Sequence, residues 1–467
     1  MAGINSNTST RAILEPMSSE QRLVLIICVL ASFVAFLDGS VINVALPAIA
    51  KEFGGDLTVQ QWVVDAYLIT LGSLMLVAGS ISDLFGRKKV LQVGLLGFGL
   101  TSVLCAVAPN AILLIIARGL QGIAGALLVP SSLALIISSF RGPAQAKAIG
   151  SWTAWTGIAF IVGPLAGGLL VDIASWRLIF AINILPIAYT LRLMRHLETS
   201  DQPRHTVRLD VIGAVLCAIG LGGPVYALIE QPHFGWTSPA IYIPLAVGTA
   251  AITLFILHEH RAEHPMLPLK LFSIRNFAAG NAATIAIYGG LSIATFLLSI
   301  FMQQVGHYPA TIAGLALMPV TILMFVLSSR FGALAGTYGP RLFMTAGPLI
   351  AAVGFLTMLG VGNSVAYLTL LPGIVLFGIG LSITVAPLTA AILGSISSQQ
   401  AGIGSAVNNA VARVAGLVAI AAVGPIIGKN ITLNGFKAGI TLTATLLTIG
   451  GLISVIGIKN AITKDTN

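Results

Sequence analysis

Gly79 to Lys89 reads G-S-I-S-D-L-F-G-R-K-K, a polar, glycine-punctuated stretch set inside a long apolar run. It ends one apolar segment and starts the next. The runs on either side are long enough to cross a bilayer, since a hydrocarbon core about 30 Å thick needs roughly 20 helical residues at about 1.5 Å each. The whole chain follows suit. Of its 467 residues 56% are hydrophobic and only 8% charged, and the mean hydropathy is +0.97. Such a chain cannot cover itself with an ordinary water-soluble surface, so we read an all-α integral membrane protein.

Division at the polar and Pro/Gly-rich interruptions predicts about fourteen spans. They cover residues 23–49, 60–81, 90–108, 111–140, 148–171, 177–194, 209–229, 239–257, 277–304, 310–329, 342–362, 367–393, 401–427 and 436–458. The implied organisation is an N-terminal segment 1–22, a six-helix unit 23–194, a charged linker 195–208, and two extra spans within 209–257. A polar loop 258–276, a second six-helix unit 277–458 and a tail 459–467 complete it.

The net charge of +9 sits in short loops, where it reports orientation and not nucleic acid. With the N-terminus inside, that side receives eighteen of the 24 basic residues, among them Arg22, Arg87, Lys88, Lys89, Arg141, Arg195, Arg275, Arg341 and Lys459. The outside receives only Lys51, Arg177, Lys429 and Lys437, and Arg118 and Arg413 fall within spans. Both termini are therefore expected on the cytoplasmic side of the cell membrane. Cys28, Cys105 and Cys217 lie apart in apolar segments and suggest neither a disulfide framework nor a metal site. The first apolar segment is too long for a signal-peptide core and is expected to be retained.

The opening stretch has an echo. From Gly332 to Arg341 the chain repeats its glycine spacing, Gly332 standing for Gly79 and Gly339 for Gly86. Weak internal symmetry of this kind marks chains built from two related helical halves. With 51 glycines a chance match is the competing explanation.

Gly79, Asp83, Gly86, Arg87 and Lys88 resemble the loop between helices 2 and 3 of the major facilitator superfamily. Other stretches agree in order. Leu37 to Pro47, L-D-G-S-V-I-N-V-A-L-P, is similar to the first-helix signature of the fourteen-spanner drug:proton antiporters. Leu114, Arg118, Gln121, Gly122, Gly125 and Ala126 resemble the fourth-helix motif with its buried arginine. Gly163, Pro164, Gly167 and Gly168 resemble the fifth-helix antiporter motif, and Ser175 to Asn183 is similar to the same subfamily. The resemblance implies two pseudo-symmetric six-helix bundles plus two central helices, rocking about a midplane site. Its function would be exchange of protons for lipophilic, often cationic, drugs. This chain departs from the pattern at Leu84, where a basic residue is common, at Ala159 in place of a glycine, and at residues 138–141, which offer no acidic partner for Arg87.

Ionisable residues inside a bilayer are costly, about 2.5 to 3.5 kcal/mol at the centre on insertion scales, and are therefore candidates for function. Asp38, Asp65, Arg118 and Arg413 qualify. Counting from the outer helix ends places Asp38 about 16 Å deep, Asp65 about 8 Å and Arg118 about 10 Å. Burial disfavours a carboxylate and a nearby cation favours it, so an aspartate between the two influences can exchange protons. We expect Asp38 to couple protons to substrate, Asp65 to help recruit a cation, and Arg118 to bias both. Buried polar residues that merely tie helices together are the plainer alternative. Asn408, Asn409 and Arg413 share one later helix and are expected to face the substrate from the second half. Gly163, Gly167 and Gly168 permit close helix contact and Pro164 removes a backbone donor, giving a pivot or a seal. A static small-residue interface is the alternative there.

One further motif points nowhere. His260 to His264 matches H-x-x-E-H, but Pro265 ends any helix that could align the histidines and no third ligand follows, so no metal is expected. No phosphate-binding G-x-x-x-x-G-K-[ST] loop occurs. We therefore expect no cofactor and no enzymatic activity, and partners limited to a small-molecule substrate, protons and lipid, in a monomer. An exporter of a metabolite, lipid or peptide-like compound is the nearest alternative, and a receptor or channel the alternative of another class.

Overall fold

The computed structural model describes residues 17–197, 209–263, 265–362, 365–397 and 400–460. The charged residues of the 195–208 linker beyond residue 197, both termini and His264 lie outside the described residues. Every regular element among those described is helical.

The first half contains α1 (Ser19–Phe53), α2 (Leu57–Phe85), α3 (Arg87–Ala106), α4 (Ala111–Ser139), α5 (Gly142–Gly157), α6 (Ala159–Ile173), α7 (Leu178–Ala181) and α8 (Ile184–Met194). An extra pair, α9 (Val211–Phe234) and α10 (Pro239–Arg261), follows. The second half contains α11 (Arg275–Gln304), α12 (Ala310–Ala316), α13 (Met318–Tyr338), α14 (Pro340–Thr357), α15 (Tyr367–Leu393), α16 (Ala401–Ala421), α17 (Val423–Ile427) and α18 (Leu433–Gly457). Taken with their continuations, 13 of the described helical segments are long and apolar enough to cross a membrane, and Leu178–Met194 is a shorter apolar one. Large apolar side chains such as Leu100, Ile112, Leu185, Leu368 and Ile456 stand exposed on the outside, as a lipid-facing surface requires.

Several expected spans are broken. The sixth is two helices, because Phe180 and Asn183 close three-residue turns onto Arg177 and Phe180 and tighten the chain into 3₁₀ geometry. The break matters, since it turns Asn183 inward. The tenth divides at Leu317 just ahead of Pro319, which has no N–H to continue the ladder.

The opening stretch is also more helical than a loop. Gly79 to Phe85 completes α2 and Arg87 begins α3, leaving Gly86 alone as the turn. Its φ is +91°, and Gly339, alone between α13 and α14, has φ +85°. Both positions lie in backbone space that disfavours any Cβ. The two halves thus repeat one local conformation at equivalent places, even though of the charges of the first only that of Lys88 has a counterpart, Arg341, in the second.

Within the first half α4 packs on α2, α3 and α1; in the second, α15 packs on α14 and α13, and α11 on α18 and α16. The halves meet where α2 lies along α16, α6 along α12 and α1 along α11. The extra pair leans on this structure through α9, which touches α2, α16 and α17.

Candidate functional site

Asp38 sits mid-way along α1 and is fully buried. Arg118 Nη1 donates to its Oδ2 at 2.6 Å, while Gln121 Nε2 and Asn183 Nδ2 each donate to Oδ1 at 3.1 Å. Arg118 and Gln121 are three residues apart and so share one face of α4. Arg118 Nη1 also donates to Gln121 Oε1 at 2.6 Å, and Gln121 Nε2 to Ser102 Oγ at 3.0 Å. The guanidinium is held from α2 as well: its Nε donates to the Val63 carbonyl at 3.0 Å, and its carbon lies 4.3 Å from the centre of the Tyr67 ring. A buried ion pair persists only if its remaining polar atoms are satisfied. Here α1, α2, α3, α4 and the α7–α8 break all contribute, and every hydrogen-bonding group named in the network belongs to the first half.

Asp65 is equally buried, yet among the described residues neither of its oxygens has a hydrogen-bond partner. Arg118 pairs with Asp38 and not with it. The helical wheel explains the separation. Val63 and Tyr67 turn toward α4, whereas Gln61, Asp65 and Gly72 occupy another face of α2. Gln61 Nε2 donates to the Ile420 carbonyl of α16 at 2.6 Å, and Gly72 faces Val414. Asp65 therefore lies on the side of α2 turned to α16 and α9, in the seam between the halves.

Of the second-half candidates, Asn408 turns back into its own half, donating to Thr284 Oγ1 at 2.9 Å and Asn281 Oδ1 at 3.2 Å. Asn409 is exposed and donates to the Ser405 carbonyl of its own helix. Arg413 reaches across to the first half, its guanidinium 5.6 Å from the Phe36 ring centre. It lies near enough to Tyr67 and Tyr288 to act on both electrostatically. Phe36 and Asp38 are two residues apart, roughly 200° around α1, so Arg413 and Arg118 address opposite faces of that helix.

Helix α6 works on two faces. A Cβ at Gly163 or Gly167 would strike Ser40 or Val41 of α1, and one at Gly168 would lie 2.6 Å from the Thr311 Cα of α12. Gly314 of α12 is pressed against the Pro164 carbonyl in turn. One turn further, the Asp172 carboxylate accepts the Ala310 and Thr311 amides at 3.0 and 2.8 Å, capping the second half's α12 from the first half. Ser299 Oγ and Gln303 Nε2 donate to the Asn43 and Val44 carbonyls. Together with Gln61, these bonds between the halves lie at the end of the molecule where α1 finishes, which is closed.

The Gly79–Lys89 stretch lies at the opposite end. Asp83 accepts from Arg87 at 2.9 Å, and Lys88 donates to the Leu197 carbonyl, fastening α3 to the end of α8.

Residues 28–420 match the description of the Major Facilitator Superfamily. The chain belongs to the Major Facilitator Superfamily. It is accordingly a membrane transporter and not an enzyme. It is 33% identical over 427 residues to the methylenomycin A resistance protein of Bacillus subtilis (strain 168), covering 90% of this chain and 91% of that one. Against the multidrug resistance protein Stp of Mycobacterium tuberculosis (strain CDC 1551 / Oshkosh) it is 32% identical over 413 residues, 88% of this chain and 76% of the relative. Among solved structures, the partially occluded inward open xylose transporter XylE from E. coli superposes with a TM-score of 0.66 at 14% identity, covering 95% of this chain and 99% of that one. That likeness establishes the fold alone.

In this facilitator, sequence reasoning missed the partners that complete the site. Gln121 and Asn183 lay within recognised motifs but carried no assigned role. Asp172, Gln61, Ser299 and Gln303 bond to backbone groups of distant elements, and no spacing signals such a bond. Asp172 alone left a trace, being an acid at the end of an otherwise apolar helix.

Proposed function

We propose that this facilitator is a proton-coupled antiporter that exports lipophilic drugs or toxic compounds across the cell membrane by alternating access. The observation that carries the coupling is the sealed Asp38–Arg118 pair with its two amide donors. The relatives named for resistance to methylenomycin A and to multiple drugs support export of such compounds.

A proton taken up by Asp38 removes the charge that holds Arg118. The guanidinium is still bound to α2 through Val63, and α2 carries Gln61, which bonds α16. Protonation therefore bears on the seam between the halves through one helix, α2. With the N-terminus inside, the closed end is the outer one and the state is inward-facing. The Gly79–Lys89 stretch then lies at the inner face, where it acts in gating with the α6 glycines. A proton entering down about 100 mV supplies about 2.3 kcal/mol, roughly a fiftyfold gradient of a neutral substrate.

For the substrate, Phe36, Tyr288 and Arg413 between the halves favour a flat lipophilic compound with a hydrogen-bond acceptor. Asp65 lies on the side of α2 turned to the seam and is the group through which cationic compounds would be accepted. Transport of a drug panel in proteoliposomes with an imposed pH gradient tests the reading. Uptake into inverted vesicles should cease when the gradient is collapsed, and undiminished uptake would refute proton coupling.

A further inference from the structure

Away from the Asp38 network, the extra helix pair holds a second buried acid cluster. Asp210 caps α9, its Oδ1 accepting the Gly213 amide at 2.7 Å and the His258 Nε2 of α10 at 2.8 Å. Glu259, on α10, is only 3% exposed, and its Oε2 accepts the Leu267 amide at 2.9 Å. The remaining oxygens, Asp210 Oδ2 and Glu259 Oε1, are buried without a donor among the described residues. They converge on one point, since a Cβ at Gly213 would lie 2.5 Å from the first and 2.9 Å from the second. The glycine leaves the space in which the two carboxyls face each other.

Two carboxylates sharing a buried site cannot both stay ionised without a counter-charge, and one proton held between them resolves the conflict. A divalent metal fits poorly. Calcium takes about 6 to 8 oxygen ligands and magnesium about six, whereas the donors here already claim two of the four carboxylate oxygens. The groups facing the pair among the described residues are His258, Cys217 and the Gly213 and Leu267 amides. Only His258 among them can bear positive charge, and it is bound to the far oxygen of Asp210.

We infer that Asp210 and Glu259 form a proton-binding site, sharing one proton between Oδ2 and Oε1, that clasps the 265–274 segment leading to α11 against the extra helix pair. The clasp is physical: Glu259 holds Leu267 with one oxygen and the shared proton with the other. When the proton leaves, two adjacent charges repel, and the grip on Leu267 and on the α9 cap loosens together. The site is separate from the Asp38 network and does not depend on the transport reading.

The test uses the full chain in lipid nanodiscs. Infrared difference spectra should show a neutral, hydrogen-bonded carboxyl at neutral pH that is lost in Glu259→Gln and in Asp210→Asn and survives in Asp38→Asn. Hydrogen exchange, corrected for its chemical pH dependence, should show the Leu267 segment losing protection about tenfold or more on going from neutral to alkaline pH. In Glu259→Gln that protection should stay constant, because the amide supplies permanently the hydrogen the proton supplied. Asp210→Asn makes the same substitution from the other side and serves if the first variant folds poorly. Absence of the carboxyl band, its survival in both variants, or protection that follows added cation and not pH would overturn the inference.

Discussion

Asp38 and Asp65 are both fully buried aspartates of the first half, and they live in opposite circumstances. Asp38 has a cation and two amides on its oxygens, while Asp65 has no hydrogen-bond partner among the described residues. Besides the difference in depth, Asp65 is kept from Arg118 by the face of α2 it occupies, since Val63 and Tyr67 on the other face meet the guanidinium. The first belongs to a network closed within one half, so a change in its charge is felt by five helical segments at once. The second stands where the halves and the extra pair meet, so its surroundings alter whenever the halves move. Coupling and substrate response can thus be divided between two acids of the same type.

The contrast predicts effects of different size. Arg118→Met strands a buried carboxylate and should cost about 3 to 5 kcal/mol, since breaking a buried pair leaves an uncompensated charge. Thermal unfolding in detergent would show it, and the double variant Arg118→Met/Asp38→Asn should recover most of the loss. If the double variant is no better than the single, the pair is not the unit we describe. Next in size, Gly168→Val should cost about 1 to 3 kcal/mol in the closed-end arrangement by overpacking against Thr311. The measurable result is increased labelling of cysteines placed near the α12 N-terminus. Asp172→Asn removes charge-assisted caps and should shift the same labelling in the same direction by about 1 to 2 kcal/mol, roughly five- to thirtyfold in population. The smallest effect belongs to Asp65→Leu. Removing an unpartnered buried polar group should leave the melting temperature unchanged or raise it, while the range of cationic compounds accepted narrows. A marked loss of stability there would reveal a partner for Asp65 and erase the contrast.

The architecture was legible because bilayer thickness fixes span length and polar interruptions fix the count. The second-half echo was legible because Gly339 must adopt the backbone that Gly86 adopts. Asp38 and Arg118 were legible as costly intramembrane charges, and their meeting answers half of the expectation that Arg118 acts on both aspartates. Choosing between Asp38 and Asp65 needed the rotation of α2, which depends on which neighbours fill each face. Asn183 became visible only once the sixth span broke at that point, a break decided by local turn bonds that hydropathy does not record. The expectation that Asn408 looks into the cavity failed to foresee Thr284 and Asn281, polar groups spaced along α11 with no signal of their own.

The central claim is that proton coupling passes through Asp38. Proton flux driven by substrate, followed with a pH-sensitive dye in proteoliposomes, tests it directly when wild type is compared with Asp38→Asn. The variant should still bind substrate but release no protons in response to it; substrate-driven proton flux equal to wild type would mean that coupling does not pass through Asp38.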